Sequence, residues 1–188
     1  MNTSTDHTLP HPGLPSRRLW PLLVVCLSIT VSALPAHGAD TSEVEVPGYT
    51  AYLAPAGRGA RIDSRRGVTG WTGQDVSIQF YVQLQTSGRL TLALKMSLPD
   101  SDDTSISVSA AKKTFTVKVP KTARNEFVQV PVGSVDIKQA GYFLITLKGL
   151  RRKGHSFGDI QALVRSGSAT KGIHFNTKPR RNAASVHL

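Results

Sequence analysis

The stretch that decides the fold is residues 75–98, "DVSIQFYVQLQTSGRLTLALKMSL". Val76, Ile78, Phe80, Val82 and Leu84 alternate with Ser77, Gln79, Tyr81, Gln83 and Gln85, the period-two pattern of a strand with one buried face. After Thr86, Ser87 and Gly88 the alternation resumes at Leu90, Leu92, Leu94, Met96 and Leu98. A three-residue turn between the two runs predicts a hairpin, with Gln85 opposite Arg89 and both apolar sets on the same side. In that register Tyr81 faces Ala93 on the outer surface, with Gln79, Gln83, Thr91 and Lys95 around its ring.

Further short runs of the same kind lie outward from this pair: "SISVSA" (105–110), "TFTVKV" (114–119), "FVQVPV" (127–132), "YFLITL" (142–147) and "DIQALV" (159–164). Turn formers separate them, among them Pro99, Asp100, Pro120, Gly133, Gly141, Gly149 and Gly154. Upstream, "EVEVPGYTAYL" (43–53) supplies another strand, bent or broken at Pro47 and Gly48. No window has the spacing of an amphipathic helix. Many short strands without helices between them predict an all-β fold, an antiparallel β-sandwich of jelly-roll or immunoglobulin-like type, over residues 39–167. Residues 168–188 lose the alternation after one more short run at 172–175 and read as a basic C-terminal tail or linker.

The N-terminus has the layout of an export signal. Arg17 and Arg18 precede an apolar run, "LWPLLVVCLSITVSAL" (19–34), and small residues follow in "ALPAHGAD". The run is shorter than the roughly 20 residues of a membrane-spanning helix, so cleavage near Gly38 is expected and an uncleaved anchor is the competing reading. The paired arginines fit twin-arginine as well as ordinary secretory export. Cys26 lies inside the apolar run behind Val25, which is not the small residue of a lipoprotein signal. Cleavage would remove this single cysteine and leave one domain of about 150 residues, stabilised by packing alone. The expected location is therefore secreted or periplasmic, with membrane contact only during export.

The whole chain has 23 Lys and Arg against 12 Asp and Glu, a net charge of +11. The signal carries off Arg17, Arg18 and Asp6, which lowers this by one. Such an excess attracts anionic partners over a range that salt shortens. For an exported chain the expected partner is carbohydrate or an anionic envelope polymer, and not nucleic acid. The sequence leaves the oligomeric state open.

Chemistry is sparse. The imidazoles beyond the signal are His155, His174 and His187, and no serine lies in a nucleophile motif. Asp63, Asp75, Asp136 and Asp159 each stand at a turn or strand end, where aspartate is ordinary. A glycan hydrolase built on Asp159 with Asp75 or His155 is the least favoured reading. "DSDD" (100–103) lacks the spacing and closing glutamate of a known calcium loop, so structural calcium has no motif behind it, and no cofactor, metal ligand set or catalytic residue is expected.

The aromatic residues carry the stronger signal. Trp71, in "GVTGWTGQ", is either the buried anchor of a glycine-rich loop or an exposed stacking platform. Tyr81, turned away from the core among amides and hydroxyls, suits a sugar, which offers an apolar face and a rim of hydroxyls. The candidate ligand-binding set is Trp71, Tyr81, Gln79, Gln83 and Lys95, with Arg151, Arg152 and Lys153 of "RRKGHSF" supplying positive charge.

Four segments, "PGYTAYLAPAGRGARI", "GVTGWTGQDVSIQFYV", "VPVGSVDIKQAGYFLITLKGL" and "SFGDIQALVRSG", resemble in their order the bacterial secreted family known as domain of unknown function five thousand and seventy-seven. The layout is also similar to jelly-roll carbohydrate-binding modules, whose late strands match residues 141–147 and 159–164. The resemblance implies a jelly-roll and an exported setting, and it transfers no catalytic residue. It further implies a second uncharacterised domain after the "RRNAASVHL" segment (180–188), where this chain stops. The reading is then an exported, non-catalytic module that binds carbohydrate, an acidic glycan included. The alternative is an interaction module that docks onto an enzyme or the envelope through its basic tail.

Overall fold

In the computed structural model, which describes residues 42–100 and 103–175, the alternation at 75–98 becomes two strands that do not pair with each other. The chain order among the described residues is β1 (Val44–Pro47), β2 (Tyr52–Ala54), β3 (Arg61–Asp63), β4 (Gly67–Thr69), β5 (Ser77–Leu84), β6 (Gly88–Ser97), β7 (Thr104–Ala110), β8 (Lys113–Val119), β9 (Val128–Ile137), β10 (Gly141–Arg151), β11 (Asp159–Ser166) and β12 (His174–Phe175). Single 3-10 turns lie at Gly48–Thr50 and Ser168–Thr170. The expected signal and residues 176–188 lie outside the described residues.

Two antiparallel sheets make a jelly-roll sandwich. The first has the order β3-β4-β11-β6-β9, with β1 also on β11. The second has the order β12-β5-β10-β7-β8, with β2 also on β5. The break at Pro47 and Gly48 is the 3-10 turn that carries the chain from the first sheet to the second.

The expected hairpin is corrected by this topology: β5 belongs to the second sheet and β6 to the first. Their apolar sets, Ile78, Phe80, Val82 and Leu84 against Leu90, Leu92, Leu94 and Met96, are buried in one core between the sheets. Alternation cannot separate the two arrangements, because both bury every apolar side chain. What settles the matter is the connection, which is held from outside. Thr86 Oγ1 donates to the Ser168 carbonyl at 3.2 Å, and the Arg89 N–H donates to Ser168 Oγ at 3.0 Å. Gly88, at φ +135°, has no room for a side chain, since a Cβ would fall 2.3 Å from Ser168 Oγ.

Consequently Tyr81 stands opposite Leu144 of β10 and not Ala93, and Lys95 lies in the other sheet. The inward and outward assignment itself is correct: Phe80 is buried and Tyr81 half-buried on the opposite face. The sandwich also runs past Gly167. Ala169 and Thr170 are buried, and β12 pairs with β5, so residues 168–175 belong to the fold and not to a tail.

Candidate functional site

At the end of the second sheet where β5 begins and β10 finishes, two loops are fastened together. The Phe157 N–H donates to the Trp71 carbonyl at 2.7 Å, and the two rings pack with centroids 5.1 Å apart at 45°. Trp71 Nε1 donates to the Gly73 carbonyl at 3.1 Å. Both side chains are fully buried. Gly149 of β10 makes this possible, because a Cβ there would lie 2.3 Å from Phe157 Cζ. Of its two expected readings Trp71 takes the first, the buried anchor of the loop; the exposed stacking platform, and with it the place of Trp71 in the ligand-binding set, is corrected, since no face of the ring reaches solvent.

Beside this aromatic base opens a cleft of about 530 Å³, lined by Thr72 and Gln74 from one loop, by Leu150 and Arg151 at the end of β10, and by Arg152, Lys153 and Gly154 of the loop that follows. Gln74 Nε2 donates to the Leu150 carbonyl at 2.6 Å and ties the walls together. The Arg152 guanidinium sits 5.6 Å from the Phe157 ring centroid, and its Nη1 donates to the carbonyls of Gly154 and His155 at 2.7 and 3.0 Å. These contacts fix the plane of the guanidinium before any ligand arrives.

Arg151 and Lys153 converge on the Asp103 carboxylate, Lys153 at 3.1 Å. The hydrogen bond from Lys153, reinforced by the Arg151 charge, holds the Asp103 carboxyl below its ordinary range. Asp100 Oδ2 accepts the His155 N–H at 3.0 Å. The two described carboxylates of "DSDD" thus brace the basic loop. Three cations line the cleft, two of them paired with Asp103, and the Arg151 and Lys153 side chains stay 65% and 72% exposed. The rim is positive and open to water.

The remaining candidates are elsewhere. Gln79, Tyr81 and Gln83 lie on the outer face of the second sheet, where the Tyr81 hydroxyl donates to Gln79 Oε1 at 3.2 Å and its ring meets Tyr52 edge to face at 5.1 Å. Lys95 lies on the outer face of the first sheet, paired with Glu45 at 3.2 Å. It does not join the others. Asp159 has both oxygens engaged, accepting from the Gly70 N–H at 3.0 Å and Arg66 Nη2 at 2.8 Å, so it staples the loop after β4 to β11. Asp63 accepts from the N–H groups of Arg66 and Arg65, which lower its pKa. Among the described residues no three His, Cys, Asp or Glu side chains form a cluster able to hold a metal. Thr72, Gln74 and Leu150 were missed by sequence reasoning. The glycines around "GWTGQ" marked the loop but not its partner.

With this geometry in view, the comparisons fall into place. The family model described as Domain of unknown function (DUF5077) matches residues 46–170, well over half of the chain. The chain belongs to this family. No protein of curated function matches the sequence significantly. Among solved structures, the DUF5077 domain is similar to a CBM35 of Cellvibrio japonicus Abf62 (TM-score 0.54, 18% identity), with 72% of this chain and 99% of that one covered. A family 35 carbohydrate binding module from Clostridium thermocellum gives 0.55 at 12% identity, over 68% of this chain and 99% of that one. The Podospora anserina GH26-CBM35 β-(1,4)-mannanase gives 0.51 at 21% identity, with 68% of this chain matching only 28% of the enzyme. These likenesses establish the shared jelly-roll.

Proposed function

We propose that this DUF5077 domain is a non-catalytic carbohydrate-binding module of an exported protein, and that its ligand is an acidic glycan held in the cleft over Trp71 and Phe157. The observation that carries the reading is the cleft itself: three cations line it beside the Thr72 hydroxyl and the Gln74 amide, with Asp103 paired to two of them. A guanidinium with a fixed plane matches a carboxylate in geometry as well as charge. Leu150 offers an apolar patch for a sugar ring, and Thr72 and Gln74 offer polar atoms to its hydroxyls. An anionic polymer of the cell envelope satisfies the same chemistry. The fold shared with carbohydrate-binding modules supports the reading at the level of architecture.

Affinity electrophoresis through gels containing polygalacturonate or a neutral mannan tests it. The expected result is retardation by the polyuronate alone, weakened by salt and abolished when Arg151, Arg152 and Lys153 are changed together to Ser. Equal mobility in every gel at low salt contradicts the proposal. Export is tested separately by N-terminal sequencing of protein recovered from outside the cytoplasm, which is expected to begin just after Gly38.

A further inference from the structure

The acidic residues of this domain are distributed unevenly between its two faces. The strands of the first sheet contain Glu45, Asp63, Asp136 and Asp159. The six strands of the second sheet contain no aspartate or glutamate, while Lys113, Lys118, Lys148 and Arg151 all belong to them. An anionic chain can therefore cross these strands without meeting a carboxylate of the sheet itself, and Asp103 at the cleft end is already paired with Arg151 and Lys153.

Apolar exposure falls on the same face. Four large hydrophobic side chains are exposed among the described residues, and three of them, Tyr142, Leu144 and Leu150, come from β10. Single exposed apolar residues are common on any protein. Three along one strand, the last of them lining the cleft, form a line. The facing pairs are Tyr142 with Gln83, Leu144 with Tyr81, Thr146 with Gln79 and Lys148 with Ser77, so rings, amides and hydroxyls alternate from the far end of β10 toward the cleft. Tyr81 is held by Tyr52 on its edge and Gln79 at its hydroxyl, and such fixed rings lose little entropy on contact with a ligand.

From these observations we infer that the domain grips an internal stretch of a long anionic polysaccharide, laid along the outer face of β5 and β10 from the cleft to Tyr142, and not a chain end. This rests on the cleft reading above. Eight residue steps along β10 separate Tyr142 from Leu150, about 27 Å at roughly 3.4 Å per step, which is several sugar units long. The cleft supplies most of the charge recognition. The line Leu144, Tyr81 and Tyr142 supplies stacking for the units that extend beyond it.

Calorimetric titration with size-fractionated oligogalacturonides, from two to ten units, tests this in four proteins: wild type, Tyr142→Ala, Leu144→Ser and Arg152→Ala. For wild type the affinity is expected to climb at least about tenfold with chain length. Tyr142→Ala and Leu144→Ser flatten that climb and leave the two-unit affinity unchanged. Arg152→Ala weakens every length. Wild-type affinity independent of length, or line variants that lose short and long ligands equally, overturns the extended track while the cleft stands. Arg152→Ala indistinguishable from wild type at all lengths overturns the cleft itself. Light scattering that shows a dimer dissolved by Tyr142→Ala, with sugar affinities untouched, assigns the face to a second copy of the chain and also overturns the track.

Discussion

Trp71 and Phe157 meet with ring centroids 5.1 Å apart, and the backbone of one donates to the backbone of the other. Together with the Gln74–Leu150 hydrogen bond this contact joins the loop before β5 to the end of β10 and the loop after it, so the cleft inherits its shape from two buried rings that no ligand touches. Trp71→Ala is expected to cost about 3–5 kcal/mol of stability, the range for a large aromatic removed from a core. Urea denaturation measures it. A loss below about 1 kcal/mol would show that the ring is not the anchor.

Gly149→Ala tests the same base from beneath. The added methyl meets Phe157 at 2.3 Å and must displace the ring or the strand, which overpacking penalises by roughly 1–3 kcal/mol. Because Arg152 rests on Phe157, the variant is also expected to bind glycan more weakly. Wild-type stability together with wild-type binding would contradict the proposed support of the cleft.

Arg165 makes a different prediction. It is fully buried, its three guanidinium nitrogens have no hydrogen-bond acceptor among the described residues, and Phe175 stacks on it at 4.9 Å. Desolvation lowers its pKa to about 10. The folded value lies below that of an ordinary arginine, so the buried charge destabilises the fold at every pH below about 10, and the penalty is relieved as pH rises through that value toward the ordinary arginine range. Arg165→Met, which keeps the length and removes the charge, is expected to melt at or above the wild-type temperature at neutral pH. A variant that melts several degrees lower would show that Arg165 is compensated by an acceptor.

The clasp on Asp103 has its own pH signature. Its carboxyl is held below 3.8, chiefly by Lys153, so the stabilisation is complete above that value and disappears as pH falls through the depressed one. Carboxyl titration by NMR is expected to give a midpoint under 3.8, with the amides of Arg151 and Lys153 following it. A midpoint at or above 3.8 would mean that the clasp does not form.

How far the sequence could be read depends on whether each feature is local. Placing Phe80 inside and Tyr81 outside needs only the pleat, and it is correct. Separating β5 from β6 into two sheets needed knowledge of Ser168, which holds the connecting turn from a distant part of the chain. Trp71 was legible as part of a glycine-rich loop, while its burial depends on Phe157 and on the missing Cβ of Gly149. Arg165 escaped notice because the register of β11 shifts between Ile160 and Ala162. Uninterrupted alternation from Ile160 keeps even positions inward; past the irregularity Leu163 and Arg165 stand opposite the core residues Leu94 and Leu92. The cations at 151–153 were legible as a charged loop, and the neighbours that make them a cleft were not.

The most direct measurement is a map of backbone amide shifts in the intact protein as an oligogalacturonide is added at low salt. The largest changes are expected at Thr72, Gln74 and the residues from Leu150 to Gly154, with smaller ones running down β10 toward Tyr142. Changes confined to the outer face of the first sheet around Glu45 and Lys95, or no changes at all, would contradict a glycan site over Trp71 and Phe157.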